Sequence, residues 1–494
     1  MNPLFSHPVL SPAAARDLET SLFSGDEVAE WNAMRRAGRA VGEAVLLDSR
    51  ECGGIPDDGR LLVLVGKGHN GGDALLAALT ILAARSAATV DVLFVFGSRP
   101  LRPLAARAWR ELVHGARGRV REVRVIEGAY DAVLDGVFGF QFRPPVEPRV
   151  TALLDAVNAA AVRFRAAVDL PSAGIFRADF TYATGSVKTP VLEGDAAGRV
   201  RYLDLGFFRG DEAGSRRVLL RRNLEPLARL RPSVSDKRSF GHVFILGGSA
   251  AFPGSVLLAT LAALKSGAGL VTAFVPESLV PAYAAQAPEA MWVGWPLTPD
   301  GGLALEGEHL LREKLPRATA LVMGPGLGRE EETAALVRSI AASCPVPLVL
   351  DADALTPEVI EAVRQPCVLT PHAGELARIG GVAAVPPNAV LVAKGPATRI
   401  VQGDVTYESF AGGPVLARGG SGDLLAGLIG GLLAQTPTDP LGAACRGVLW
   451  QGIAADRLAR ARGHSAVRIS ELLDHLSSPV AALGETADGP YGHS

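Results

Sequence analysis

Two glycine-rich segments carry acids where chemistry could happen. The first is Arg418-Gly-Gly-Ser-Gly-Asp423, which runs into the apolar stretch Leu424-Leu-Ala-Gly-Leu-Ile-Gly-Gly-Leu-Leu433. Glycines before a helix leave backbone N–H groups free to hold an anion. Asp423, at the helix start, then lies beside a bound phosphoryl group, where a base can act on a hydroxyl nucleophile. A Ser–Asp cap on a core helix is the plainer alternative. The second segment is Leu61-Leu-Val-Leu-Val-Gly-Lys-Gly-His-Asn-Gly-Gly-Asp73, a strand, a turn and a helix.

Gly66, Gly68 and Gly71 match G-x-G-x-x-G. A dinucleotide fold of that type also needs an acid at the end of its second strand to hold the ribose. Here that strand ends Phe94-Val-Phe-Gly-Ser98, without one. Other acids stand at strand ends instead: Asp73, Asp135 in Leu134-Asp-Gly-Val-Phe-Gly139, and Asp169 in Val168-Asp-Leu-Pro-Ser172. Open parallel sheets bind ligands beyond their carboxyl ends, so these three carboxylates are expected to converge on one cleft. There they can transfer protons or hold a cation with nearby hydroxyls and amides; helix and turn capping by Asp73 and Asp169 is the alternative.

Further along, more strand ends bear glycine or polar groups. These are Gly324-Pro-Gly-Leu-Gly328, Asp351-Ala-Asp353, Thr370-Pro-His-Ala-Gly-Glu375 and Lys394-Gly-Pro-Ala-Thr398. Lys394 can supply positive charge to a nucleotide. His372 can hydrogen-bond a substrate or hold the turn.

The elements that must position these residues alternate. Residues 27–48 read as a helix, 61–65 as a buried parallel strand, 74–84 as a helix and 89–96 as a strand. Strands at 132–134 and 164–168 complete a βαβα rhythm, which requires a parallel sheet covered on both faces. A second series begins with strand 242–246, helix 255–266 and strand 270–275. It continues with strands 320–323, 347–350, 367–369 and 390–393, and a hairpin, 398–401 with 405–409, around Gly403-Asp404. The last clear helix begins near Gly422. Between 219 and 239 the chain is charged and holds Pro226 and Pro232, which places a domain boundary there and gives domains 1–224 and 225–494. The tail after Ser477 is weakly patterned and is expected to fray.

Composition agrees with two α/β domains. The chain has 494 residues, 48% of them apolar and only 6% aromatic, too long for one ordinary core. Basic and acidic residues nearly balance at 49 and 51, so a nucleic-acid or anionic-membrane surface is not indicated. The cluster Arg216, Arg217, Arg221 and Arg222 reads as a solvated connector. Four cysteines without C-x-x-C spacing argue against a disulfide framework or zinc knuckle. Residues 1–12 lack a signal-peptide pattern, and no uninterrupted apolar run is long enough for a membrane span. A cytoplasmic, soluble protein is expected.

The motifs Gly68-His-Asn-Gly-Gly-Asp73, Asp135 to Gly139 and Val168-Asp-Leu-Pro-Ser172 resemble the NAD(P)H-hydrate epimerase family, whose fold is Rossmann-like. The resemblance implies a potassium ion held by Asn70, Asp135 and Ser172. It implies substrate contacts from His69, Asn70, Gly71, Gly72 and Asp73, and from Gly139, Phe140, Gln141, Phe142 and Arg143, with Asp169 as the acid/base. The sequence departs from the family pattern at His69, Phe140, Gln141, Ala173 and Arg35. Bulk added where glycine is usual predicts a weak or altered epimerase.

The second half, about 239–473, is similar to the ADP-dependent NAD(P)H-hydrate dehydratases, which have the ribokinase-like fold. Phe240-Gly-His-Val-Phe-Ile-Leu-Gly-Gly-Ser249 and Ser266-Gly-Ala-Gly-Leu-Val-Thr272 fit as well. The resemblance implies nucleotide binding by Lys394, Gly395, Pro396, Ala397, Thr398 and Gly422. It implies hydrate contacts from Ala268, Gly326, His372 and Asp423, with Asp423 as the base. ADP, magnesium and potassium are the implied small molecules, NADHX and NADPHX the substrates, and a homo-oligomer the implied assembly. Taken together, the expected fold is two three-layer α/β/α domains. A ribokinase-like small-molecule kinase with a non-catalytic N-terminal scaffold remains the alternative, because such kinases share the Gly-x-Gly-Asp anion hole.

Overall fold

Runs such as Leu61-Leu-Val-Leu have no polar side and are stable only when covered on both faces. In the computed structural model, which describes residues 4–210 and 212–476, Leu61, Leu62, Val63 and Leu64 are wholly buried. The chain packs into two units. One is His7–Gly214 together with Ala459–His464; the other is built mainly from Ser215–Leu458. The division falls at 214/215, ahead of 224/225, which lies inside the 3-10 segment Arg221–Ala228. The tail after Ser477 lies outside the described residues.

The N-terminal unit holds a seven-stranded parallel sheet. Its order is Val120–Val123, Thr89–Phe94, Arg60–Val65, Ala132–Gly136, Arg165–Val168, Phe180–Thr184 and Arg199–Leu203. The chain leaves Arg60–Val65 toward one edge and returns on its other side at Ala132–Gly136. That reversal opens a crevice beyond the two carboxyl ends. Gly66 fits there because a side chain would strike the Val137 carbonyl, 1.9 Å from an ideal Cβ.

The C-terminal unit holds a larger sheet. Its strands are Met291–Trp295, Leu270–Pro276, His242–Leu246, Ala320–Met323, Leu348–Leu350, Cys367–Leu369 and Ala389–Ala393, all parallel. The hairpin Thr398–Gln402 with Val405–Ser409 follows antiparallel, and Arg216–Leu219 adds parallel to it. Here the reversal lies between His242–Leu246 and Ala320–Met323. The helix Ser421–Gln435 lies close against this sheet and the helix Pro253–Lys265. Ideal Cβ atoms on Gly427 and Gly430 would come 2.0 Å from the Ala259 carbonyl and 2.1 Å from Val322.

Several expectations need correction. Arg216 and Arg217 are not a solvated connector. They sit in a strand, where Arg216 donates to buried Glu408 at 2.7 Å and Arg217 to Ser6 at 2.8 Å. The helix expected from residue 74 starts at His69, so the glycine-rich turn is its first turn. A long helix, Pro440–Arg462, follows the one that was expected to be last. Among the described residues the four cysteines are free, and no helix is long and apolar enough to cross a membrane.

Candidate functional site

In the C-terminal unit the strand ends bring together the groups an anion needs. Asp351 follows Leu348–Leu350 and is buried. It accepts from the Thr370 hydroxyl at 2.6 Å and from Lys394 Nζ at 2.9 Å. Lys394 follows Ala389–Ala393, and its backbone N–H is tied to the Pro371 carbonyl. The helix Ser421–Gln435 points its N-terminus at this pair. An ideal Cβ on Gly422 would lie 3.0 Å from Lys394 Nζ and 3.5 Å from Asp351 Oδ2, so glycine leaves the approach open. The first helical bond runs from the Leu424 N–H to the Gly420 carbonyl. The N–H groups of Gly422 and Asp423 therefore have no intrahelical acceptor, beside a lysine.

Asp423 stands at the same place, where Ser255 and Lys394 both pull its carboxyl down. Burial first, then the Asp351 charge, pushes its carboxyl up to about 6, against the pull of Lys394. A carboxylate near that value can take a proton at neutral pH and give it back.

Other expected residues fall variously. Gly395, Pro396 and Ala397 form the turn that Lys394 opens, and Thr398 begins the next strand. Gly326 is buried at the reversal point, with φ of 67° and an ideal Cβ 2.5 Å from the Phe252 carbonyl. His372 holds its turn: ring Nδ1 accepts from the Gly374 N–H at 3.0 Å, while the His372 backbone N–H donates to Glu375 Oε2 at 2.8 Å. Its ring is exposed, so the cap leaves that edge reachable. Ala268 is not brought to this edge. It precedes strand Leu270–Pro276, in a turn whose Ser266 carbonyl accepts from Gln435. Gln435 ends the helix that Asp423 begins, which puts the turn about 20 Å away at 1.5 Å per residue.

The N-terminal unit carries a cavity of about 590 Å³ beyond its own strand reversal. His69, Asn70 and Asp73 line it from the helix His69–Ala84, and Gly139, Phe140, Gln141 and Phe142 from a neighbouring loop. Asp169 lines it as well, at a φ of 65°. Gly71 and Gly72 do not; they pack on Gly66 and Met34, where an ideal Cβ would be 2.6 Å from either. Arg143 is exposed outside the lining. Ala173 sits at φ 57°, in the left-handed region that favours glycine, so that departure carries backbone strain.

The three expected carboxylates do not converge as a set. Asp135 lies inside its strand, sealed from the cavity. It accepts from the Ser172 hydroxyl at 2.6 Å, the Ser172 N–H at 2.8 Å and the Val137 N–H at 3.2 Å. Asn70 joins this group by donating to the Phe138 carbonyl at 3.0 Å, while the Phe138 N–H donates to Ser172 Oγ. Burial pushes the Asp135 carboxyl up to about 6, and the hydrogen bonds that pull it back come from neutral groups. A buried carboxylate with hydroxyl, amide and carbonyl oxygens around it fits a hard monovalent cation.

In the cavity Asp73 and Asp169 are joined by two residues the motifs did not indicate, Glu19 and Lys188. Lys188 Nζ donates to Asp169 Oδ1 at 2.5 Å and to the Thr184 carbonyl at 2.9 Å. Asp73 is driven well above the usual carboxylate range by burial, then by Asp169 and Glu19. Nothing local marks either residue: Glu19 reads as one more polar position of the helix Pro12–Phe23, and Lys188 ends a two-residue strand. Asp351 had a signal, an acid directly after an apolar strand, but no role had been attached to it.

Comparison with known proteins agrees with both halves. Residues 243–477 match the family model described as NAD(P)H-hydrate dehydratase, and residues 32–191 match the YjeF-related protein N-terminus. The chain is 36% identical to the bifunctional NAD(P)H-hydrate repair enzyme Nnr of Gloeobacter violaceus, over 93% of this chain and 95% of that one. It is 32% identical to the protein of the same description from Moorella thermoacetica, over 92% and 93%. Among solved structures it is similar to an ADP/ATP-dependent NAD(P)H-hydrate dehydratase from Bacillus subtilis. The identity there is 27% and the TM-score 0.45, covering 53% of this chain and 97% of that one.

Proposed function

The chain belongs to the bifunctional NAD(P)H-hydrate repair enzymes, and on that premise we propose that its N-terminal unit interconverts the two C6 epimers of hydrated NAD(P)H while its C-terminal unit dehydrates the 6S epimer at the expense of ADP. The observation that carries the second half is Asp423 at a helix N-terminus facing Lys394 across Gly422. Membership of the family favours this reading over a small-molecule kinase, which would share the anion hole.

Hydration at C6 leaves hydroxide, a poor leaving group. Asp423 takes the proton of the C6 hydroxyl, whose oxygen attacks the terminal phosphorus of ADP. The bond from that phosphorus to the bridging oxygen breaks, and AMP leaves. The free N–H groups of Gly422 and Asp423, with Lys394, neutralise the transferring charge. Phosphate then departs from C6 as the C5 proton is lost, and the ring double bond reforms. Magnesium would supply charge neutralisation to the phosphates when bound. In the N-terminal unit, Asn70, Asp135 and Ser172 would hold potassium, which supplies a fixed positive charge beneath the cavity loop.

Asp423 must be ionised to act, and its carboxyl is raised to about 6. Below that value it is protonated, so kcat/KM for dehydration is expected to rise with pH through about 6 and then level. A profile flat across that region contradicts the assignment.

The direct test mixes equal amounts of both NADHX epimers with the protein, ADP, magnesium and potassium, and follows NADH absorbance on a time short against spontaneous epimerisation. Full recovery is expected, with the half that starts as the 6R epimer returning more slowly than the 6S half. Recovery that stalls near half would leave the dehydratase standing and remove the epimerase. No recovery from folded, ADP-binding protein would favour the kinase.

A further inference from the structure

The N-terminal cavity contains more acids than one base requires. Its single buried ammonium, Lys188, is already committed to Asp169 and to the Thr184 carbonyl, with the Phe140 ring 5.1 Å from it. Glu19 and Asp73 share the cavity without an ion pair to it. We infer that Glu19 is the general acid of the N-terminal reaction, acting in the same cavity as Asp169, the base that is ion-paired with Lys188. This assignment rests on the epimerase reading.

The groups around Glu19 separate the two roles. Facing it are Asp169 and Lys188, Asp73 from the helix His69–Ala84, Glu30 from the helix Glu27–Asp48, and Arg16 on its own helix. Burial dominates, Lys188 pulls the other way, and Asp169 and Glu30 add to the burial; the carboxyl is pushed up to about 7. Glu19 can thus both hold and release a proton near neutral pH. Asp73 is driven well above the usual carboxylate range by burial and by the charges of Asp169 and Glu19. Asp169, held in an ion pair with Lys188, and Glu19, which has no such pair, divide into a base and an acid.

The step balances without an added reagent. Glu19 gives its proton to the C6 hydroxyl oxygen, the C6–O bond breaks, and water leaves. The N1 lone pair forms the N1=C6 bond of an iminium. Water then adds to the opposite face of C6 and loses a proton to Asp169. The proton on Asp169 returns to Glu19 through the cavity, and the substrate leaves as the other epimer.

The test uses the full-length protein without ADP, so that dehydration is silent. It starts from one purified NADHX epimer and follows interconversion by chromatography across pH about 5.5 to 8.5. The wild-type rate is expected to fall as pH rises past about 7, where Glu19 loses its proton. Glu19→Gln is expected to slow interconversion by about 10²-fold or more and to abolish that alkaline limb; Glu19→Asp keeps part of the rate and keeps a limb. A Glu19→Gln protein at the wild-type rate, or a slowed one whose alkaline limb persists, overturns the assignment while the epimerase reading stands. Wild-type protein that interconverts nothing removes the epimerase reading itself. Should Glu19→Gln fail to fold, a wild-type profile without an alkaline limb overturns the assignment, and a limb retained in Glu19→Asp supports it.

Discussion

Replacing Asp423 with Asn is expected to lower dehydratase turnover by roughly 10²- to 10⁴-fold, the range spanned by one well-placed proton-transfer group. The amide keeps the shape and the Ser255 neighbour but cannot take the hydroxyl proton. ADP binding is expected to survive, because the free N–H groups of the helix start and the Lys394 ammonium remain. The loss should appear in kcat, with the ADP dependence little changed. The residual rate should also lose its rise through pH about 6, since the carboxyl that titrates there is gone. Turnover within a few-fold of wild type would show that another group takes the proton, and Asp351, tied to Lys394 and Thr370, would be the nearest candidate.

Asp169→Asn is the second large effect, and it has two parts. Epimer interconversion is expected to fall by about 10²- to 10⁴-fold while dehydration of the 6S epimer continues. The same change strands Lys188, which is 1% exposed, without its counter-charge. Leaving a buried charge unpaired costs about 3–5 kcal/mol, so the N-terminal unit should also unfold at lower temperature or denaturant. Chromatography of the epimers and a denaturation curve separate the two. Lost stability with unchanged interconversion would make the pair structural and remove Asp169 from the chemistry.

Much of the fold was legible because it rests on local pattern. The strands His242–Leu246, Ala320–Met323 and Cys367–Leu369 are short runs with every residue buried, and the helix Glu27–Asp48 has the bounds read from its sequence. Strand Arg199–Leu203 was not legible. Its Arg201 looks solvent-facing, yet it is buried against Asp48 at 3.2 Å, a partner more than 150 residues away in sequence. The early start of the helix His69–Ala84 was hidden for a similar reason. Its glycines are poor helix formers, and only the close packing on Gly66 and Met34 shows why they are there.

The sequence by itself determined the two-domain α/β plan, the helix start at Gly422 and Asp423, and the acids Asp169 and Asp351 directly behind their strands. Each of these follows from residues near one another in the chain, where periodicity and glycine placement act. Tertiary structure alone decided which charges meet. It closed Asp135 away from the N-terminal cavity, carried Ala268 to the far end of its helix from Asp423, and set Glu19 and Lys188 beside Asp169. Burial and Coulomb coupling depend on distance through space and on the exclusion of water, and neither is written in the spacing of residues along the chain.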